Sequence, residues 1–289
     1  MAQASKRLPA NVAGDFFVDS SCIDCGTCRW MAPAVFDHGQ EHSKVYRQPE
    51  GEADVLAALR AVVACPAASI GTVEHHDVAS VAASFPVPIA ANVYHCGYHH
   101  RSSYGATSYL IVRPQGNVLI DSPRFAGPLV ERLEALGGVA MMFLTHRDDV
   151  AEHERFAERF GCTRVLHADD VTTATQKVEQ QPQGVEVHAL ADDLLMIPVP
   201  GHTRGSACLL YDGTFLFTGD HLAWNVARDQ LCAFRGACWY DWPSQVESMR
   251  RLAEFDFEHV LPGHGAPCHF DVPTMRDKMR ACVEWMASR

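Results

Sequence analysis

The sequence has no apolar run approaching the roughly 20 residues that span a bilayer. Its first fifteen residues, MAQASKRLPANVAGD, hold no hydrophobic core of a secretory signal. Both absences lead to the expectation of a soluble, cytoplasmic chain with no membrane partner. Basic charge is short: 24 Lys and Arg stand against 35 Asp and Glu, a formal net charge of −11. No basic stripe interleaved with aromatics appears, so no nucleic-acid partner is expected, although a nucleotide in a local pocket stays open. There is no G-x-S-x-G elbow or other nucleophile motif, and covalent catalysis lacks support. Aromatics make up only 9% of the chain, but 47% is hydrophobic and 20% charged, the composition of a folded protein. The length of 289 residues allows one large domain, or a small one and a medium one. What the chain has in excess is 16 His and 11 Cys. An odd cysteine count argues against a disulfide scaffold and for free thiols or metal ligands.

The pattern divides near residues 75–90. Residues 1–14 read as a flexible N-terminus. Within 15–75, residues 16–18 and 44–47 look extended and 22–28 form a tight loop. Residues 52–64 have helical spacing in Val55, Leu56, Leu59, Val62 and Val63. Residues 76–92, with Pro86 and Pro88, read as a linker. Over 93–289, strand-like runs at 109–112, 117–121, 140–144, 164–166, 194–198, 207–211, 215–218 and 259–261 alternate with helical stretches at 128–136, 151–160, 243–255 and 273–286. Residues 172–183 read as a polar surface excursion. The order predicts an α+β chain whose sheets pack together under helices.

Cys22-Ile-Asp-Cys25-Gly-Thr-Cys28 sets three thiolates at two-residue gaps, and Cys65-Pro66 follows downstream. Three ligands on one side of a loop with a fourth from elsewhere is how a cubane iron–sulfur cluster is held. Gly26 lets the loop turn closely, and the proline after the last cysteine stops a helix from continuing. A four-cysteine zinc site would use two separated C-x-x-C knuckles, and merely buried cysteines would need no spacing at all. Through FFVDSSCIDCGTCRWMAPAVF and ACPAASI, this stretch resembles a bacterial single-cluster ferredoxin. The resemblance implies one 4Fe–4S cluster on Cys22, Cys25, Cys28 and Cys65. It leaves open whether that cluster transfers electrons to or from a redox partner protein, senses redox state or is structural.

Four further elements each follow an apolar run: Thr145-His146-Arg147-Asp148-Asp149-Val150-Ala151-Glu152-His153, Pro200-Gly201-His202-Thr203, Thr218-Gly219-Asp220-His221 and Pro262-Gly263-His264-Gly265. Side chains at strand ends gather at one rim of a sheet, and imidazole with carboxylate suits Zn, Fe or Mn. The order and the PGHT, GD and PGHG elements resemble the metallo-β-lactamase fold, in its glyoxalase II-like and broader hydrolase branches, over residues 93–289. The resemblance implies an αββα sandwich following the small ferredoxin-like domain. It places His146 and His202 on a first metal, Asp220 as a bridge and His264 on a second metal. The family's T-H-x-H-x-D-H pattern is altered here. Asp148 stands at the second histidine position, and the terminal D-H pair is replaced by Glu152-His153 two residues further on. His153 is therefore a candidate ligand that closes the second site; the other possibility is a single metal. Asp149-Val150-Ala151-Glu152 also fits a capping box for the next helix.

One or two divalent ions, Zn or Fe, at such a site would lower the pKa of water from about 15.7 toward roughly 7. The expected function is metal-dependent hydrolysis of a small-molecule thioester, lactone or phosphoester. Asp148 and Asp149 are the catalytic candidates, to orient the nucleophile or take its proton. The alternative is a di-iron oxidoreductase fed by its own cluster. His146-x-Asp148 is similar to the first motif of flavodiiron proteins, which carry H-x-E-x-D and a flavodoxin domain not found in this sequence. Of the other histidines, His99-His100 reads as a solvated loop, His75-His76 matches no motif, and His221 reads as reaching the site or supporting Asp220. Tyr98, Tyr104, Trp224, Trp239 and Tyr240 are candidate pocket walls for a flat or apolar acyl group.

Overall fold

The computed structural model describes residues 2–289. They divide into two compact units, one with the residues up to Asn117 and Pro123–Val139, the other with Val118–Ser122 and Ala140–Arg289.

In the first unit the N-terminal segment, expected to be flexible, is laid along the first strand. Leu8 N donates to Val18 O (3.0 Å) and Ser20 N to Lys6 O (3.0 Å), while the Asn11 amide donates to both Leu8 O and Val18 O. The chain then forms β1 (Phe16–Val18), α1 (Thr27–Met31), β2 (Phe36–His38), β3 (Ser43–Val45), α2 (Gly51–Ala64) and β4 (Ile70–Thr72). β1 pairs antiparallel with β4, and β2 with β3. α2 buries Ala58, Leu59, Ala61, Val63 and Ala64; of the five residues whose spacing predicts the helix, Leu59 and Val63 are buried, Val55 and Val62 half-buried and Leu56 exposed.

The segment 76–92, expected as a linker, is structured. It carries α3 (Val78–Ala83), capped by the Asp77 carboxylate accepting from Ser80 N (3.0 Å), and β5 (Val87–Ala90). β5 pairs antiparallel with β6 (Val93–His95), which pairs with β7 (Tyr109–Ile111). A six-residue helix is too short to show a period, and Pro88 is tolerated because β5 is an edge strand. α4 (Gly127–Ala135) completes the unit and buries Leu129, Val130 and Leu133.

The second unit holds two sheets. β8 (Val118–Ile120), β9 (Met141–Phe143) and β10 (Thr163–Val165) are parallel, with β9 in the middle. α5 (His153–Phe160) makes the crossover that a parallel β9–β10 pair requires. The other sheet has the order β11 (His188–Ala191), β12 (Leu194–Pro198), β13 (Ala207–Tyr211), β14 (Phe215–Gly219), β17 (His259–Pro262) and β18 (Cys268–His269). Between β14 and β17 come the hairpin β15 (Ala223–Asn225)–β16 (Gln230–Cys232) and α6 (Trp242–Leu252), and α7 (Val272–Ala287) ends the chain. Asp241 caps α6 by accepting from Ser244 N (2.8 Å), Asp271 caps α7 by accepting from Thr274 N (2.9 Å), and each helix has proline in its first turn.

Alternate residues of this sheet, Ile197, Cys208, Leu210, Leu216 and Val260, share a core with Val246, Met249 and Leu252 of α6 and Met275, Met279 and Met286 of α7. The intervening Met196, Leu209, Phe217 and Leu261 are buried too, so the sheet is an inner layer with both faces covered. β12 and β14 run the same way because each is antiparallel to β13, and β17 is parallel to β14. Their C-terminal ends therefore open at one edge, where His202, Asp220 and His264 follow.

Candidate metal centres

Cys22, Cys25, Cys28 and Cys65 line one cavity, with Val18, Ile23, Pro66 and Ile70 as its apolar wall. α1 opens inside the cysteine motif and puts Cys28 on its first turn, while Cys65 follows the last residue of α2. Each sulfur has a polar neighbour. Asp24 N donates to Cys22 Sγ (3.4 Å), Ser69 N to Cys65 Sγ (3.3 Å), Thr27 Oγ1 lies 3.4 Å from Cys25 Sγ, and the Ser43 hydroxyl bonds to Cys28. Burial pushes the Cys28 thiol up to about 12, and the neighbouring sulfurs oppose its ionisation further; burial raises Cys25 in the same way. Four sulfurs that resist one another's charge, the cavity's only cysteines and set in an apolar wall, fit a cationic iron centre with one thiolate per iron.

At the sheet edge of the second unit, ligand atoms of His146, Asp148 and His202 lie within 4.8 Å of one another, and so do those of His146, Asp149 and Asp220. His146 Nε2 is 3.8 Å from both Asp149 Oδ2 and Asp220 Oδ2, and His202 Nε2 is 3.7 Å from Asp220 Oδ2 and 3.6 Å from Asp148 Oδ2. Asp220 turns its other oxygen, Oδ1, to His264 Nδ1 at 2.6 Å. His146 Nε2, His202 Nε2 and Asp149 Oδ2 are buried without a hydrogen-bond partner. Orphaned nitrogen and oxygen atoms at these separations leave room for an ion bonded to each at about 2 Å.

The charge balance points the same way. Burial drives the Asp149 carboxyl well above its ordinary range, helped by the Asp220, Asp121 and Asp148 carboxylates around it. Burial also lifts Asp121 to about 7. Burial opposes ionisation of Asp220 as well, but the attraction of His264, His146 and His202 overrides it and holds that carboxyl low. Asp148, nearly half exposed, is held low by the His202 imidazole beside it, 3.6 Å from its Oδ2. Carboxylates crowded together beside imidazoles fit a divalent cation.

Buried partners aim these side chains. Asp121 accepts from Thr145 N (2.8 Å) and from Thr145 Oγ1 (3.0 Å), so that hydroxyl is free to accept from His146 Nδ1 (3.0 Å) and Nε2 is turned into the site. His202 Nδ1 donates to Ala237 O (2.5 Å), which turns its Nε2 inward too. Asp170 accepts from Arg147 N (3.0 Å), Thr203 Oγ1 (2.5 Å) and Gly205 N (2.8 Å), and so ties the His146 loop to the His202 loop. Gly219 has φ +49, and a Cβ there would lie 2.5 Å from Thr145 Oγ1, so only glycine lets β14 end here. Asp121 and Asp170 were not singled out in the sequence. Asp121 ends a buried apolar triplet, a faint signal; Asp170 has no spacing that marks it.

Several expectations are corrected. His153 is not brought to the site: its Nδ1 accepts from Arg164 Nη1 (3.0 Å) and its ring bonds to the Ala174 backbone, so both nitrogens are in use. The capping box does not form. α5 starts at His153, its N-cap Glu152 makes no side-chain cap and pairs with Arg155 instead, and Asp149 points into the site. His221 does not support Asp220, since both its ring nitrogens are buried without a hydrogen bond. His99 is fully buried rather than solvated. The aromatic set disperses as well: Tyr98 is buried and donates to Ala82 O (2.8 Å), and Trp224 packs on Phe270 under Lys278. Trp239 stays by the site, its ring centroid 6.2 Å from that of His202.

Comparison with known proteins finds relatives for each part of the chain. Residues 18–72 match the family described as the 4Fe-4S single cluster domain of ferredoxin I. A hydroxyacylglutathione hydrolase of Xanthomonas campestris pv. campestris is 27% identical over 165 residues, 55% of this chain and 58% of that protein, so the chain spans little more than half the length of that relative. A probable metallo-hydrolase of Methanocaldococcus jannaschii is 25% identical over 193 residues, 56% of this chain and 88% of that protein. In fold, the chain is similar to the metallo-β-lactamase FIM-1 from Pseudomonas aeruginosa in its mono-zinc form, with a TM-score of 0.52 and 15% identity over 70% of this chain and 96% of that one. The chain thus joins a ferredoxin-type 4Fe–4S domain to a metallo-β-lactamase fold. No helix among the described residues is long and apolar enough to cross a membrane.

Proposed function

We propose that the chain is a metal-dependent hydrolase of a small-molecule thioester, lactone or phosphoester, and that its 4Fe–4S domain transfers electrons or exerts redox control. The observation that carries this reading is the convergence of two donor sets that share His146, with unpaired ligand atoms facing one another. Names of relatives that hydrolyse thioesters or act as metallo-hydrolases support it. We assign His146, His202 and Asp148 to a first metal position, Asp149 and His264 to a second, and Asp220, whose two oxygens face different partners, to the bridge. One or two divalent ions, zinc or iron, would supply Lewis acidity and a nucleophile at neutral pH.

The chain's own groups do the rest. Thr145 and Ala237 O hold the two imidazoles with Nε2 inward. Asp148, on the open side and kept ionised beside His202, orients the incoming nucleophile and accepts its proton at the carboxylate oxygen not given to the metal. Trp239, 62% exposed beside His202, offers an apolar face to the acyl part of the substrate. We assign residues 15–75 to the cluster module and 93–289 to the hydrolase. The eleven free cysteines support a reducing, cytoplasmic setting, and the cluster supports a redox partner protein.

Hydrolysis assays on a thioester, lactone and phosphodiester panel, with metal analysis, test this reading. Turnover of none of the three by metal-loaded protein overturns it. One observation favours a second reading: Asp149 and Asp220 share a donor set with only one imidazole, an oxygen-rich site that suits iron. A di-iron oxidoreductase fed by the cluster would take up oxygen after reduction by dithionite, and no uptake removes it.

A further inference from the structure

Residues 95–105 lie outside the ferredoxin match yet come up close behind Cys25 and Cys65. His99 N donates to Ala64 O (3.2 Å), one residue before Cys65. Gly105, at φ +87, approaches so closely that a Cβ on it would lie 3.0 Å from Cys25 Sγ and 2.9 Å from Pro66 Cγ. The imidazole of His99 stands over α1: its Nδ1 is 2.8 Å from Gly105 O and 3.0 Å from Thr27 Oγ1, and its Nε2 is 2.8 Å from His95 Nε2.

Hydrogen-bond arithmetic fixes the protons. A carbonyl only accepts, so His99 Nδ1 carries the hydrogen, shared between Gly105 O and Thr27 Oγ1. In the neutral ring Nε2 then bears a lone pair and accepts from His95 Nε2. His95 is then the tautomer with its hydrogen on Nε2, because that atom faces a lone pair. Thr27 Oγ1, already an acceptor from His99, must send its own proton elsewhere. Two acceptors are within reach at 3.4 Å, Gly105 O and Cys25 Sγ. Gly105 O already takes the His99 hydrogen on one of its two lone pairs, and a cluster-bound cysteine is a thiolate, the stronger acceptor of the two.

We propose that Thr27 and His99 are positioning residues that set the reduction potential of the 4Fe–4S cluster, with the Thr27 hydroxyl donating to Cys25 sulfur in an orientation imposed by the buried His95–His99 pair. The proposal rests on the cluster reading and not on the hydrolase reading. One-electron reduction adds negative charge that the thiolates share, and an O–H donor stabilises that charge, so the bond raises the potential.

The test is a redox titration of anaerobically purified full-length protein, followed by electron paramagnetic resonance, with iron and acid-labile sulfide measured on every sample. Thr27→Val should lower the midpoint potential at full cluster content, while Thr27→Ser keeps it near the original value. His99→Leu frees Gly105 O to compete for the Thr27 proton and should lower the potential by less. In the Thr27→Val background His99→Leu should add nothing, because it acts through the hydroxyl. An unchanged potential in Thr27→Val, or a His99 effect as large without the hydroxyl as with it, overturns the proposal. If Thr27→Val fails to assemble a cluster, His99→Leu decides, and an unchanged potential there is again fatal. Absence of iron and sulfide from the unaltered protein would sink the cluster reading instead.

Discussion

A ligating imidazole must offer a bare nitrogen, and this chain ensures that by occupying the other one. His146 Nδ1 is engaged by Thr145, itself fixed by Asp121, and His202 Nδ1 by Ala237 O. Replacing outer partners of this kind typically costs about 10–100-fold in metal affinity, so removal of an inner group should cost more. His202→Ala and Asp220→Ala should each lower hydrolysis by more than about 100-fold, as initial rates on the substrate panel will show. Full activity in both would mean that the reaction occurs elsewhere. A pH effect follows at His221, pushed down to about 3 by burial and the nearby His202. The unfolded chain takes a proton near pH 6.5 that the folded site refuses, so stability from His221 is complete above that pH and is lost as pH falls toward 3. Raised carboxyls such as Asp121 act in the opposite sense, and comparison with a His221→Gln variant isolates the histidine. For metal-free protein, the melting temperature of the variant minus that of the parent should be larger at about pH 5 than at about pH 7. An equal difference at both refutes the assignment.

Among the elements, those that swallow their side chains were legible. β12 and β13 were expected at 194–198 and 207–211 and lie there, because unbroken apolar runs, buried throughout in β13 and at all but Leu195 in β12, mark a strand. His202, Asp220 and His264 could be read as neighbours because each follows a strand at one edge of the same sheet, and His146 follows β9 of the other sheet. Failures came where non-local partners decide. His153 was a candidate ligand two residues beyond the family's usual position, but α5 starts at His153 itself and faces the ring to Arg164, which no local pattern foretells. The burial of His99 depends on Gly105 and Thr27, the latter 72 residues away in sequence. Asp170 escaped for the same reason, since its value lies in joining two loops. Asp170→Ala would strip acceptors from Arg147 N, Thr203 Oγ1 and Gly205 N, at about 1–3 kcal/mol for each buried group left unpaired. The melting temperature should fall, and metal affinity should drop by about 10–100-fold in a competition titration. Unchanged affinity in a destabilised variant would show that Asp170 holds only the fold.

For the molecule as a whole, two inorganic centres of opposite chemical taste imply two separable losses. Thiolates grip iron–sulfur clusters tightly, whereas nitrogen and oxygen ligands exchange divalent ions with a chelator. Dialysis against EDTA under nitrogen should remove the hydrolytic activity and one or two metal ions, yet leave the broad visible absorbance and the sulfide content intact. After that treatment the remaining iron should match the sulfide one for one, since only the cubane is left. The released metal then discriminates between chemistries: zinc, restoring activity when added back, fits hydrolysis, whereas iron in the released fraction returns weight to the oxidoreductase. Should the colour fade in step with the activity, the ions would not sit in a separate nitrogen–oxygen site. His146, His202 and Asp220 would then have converged for structural reasons, and the cysteines would be the chain's single metal centre.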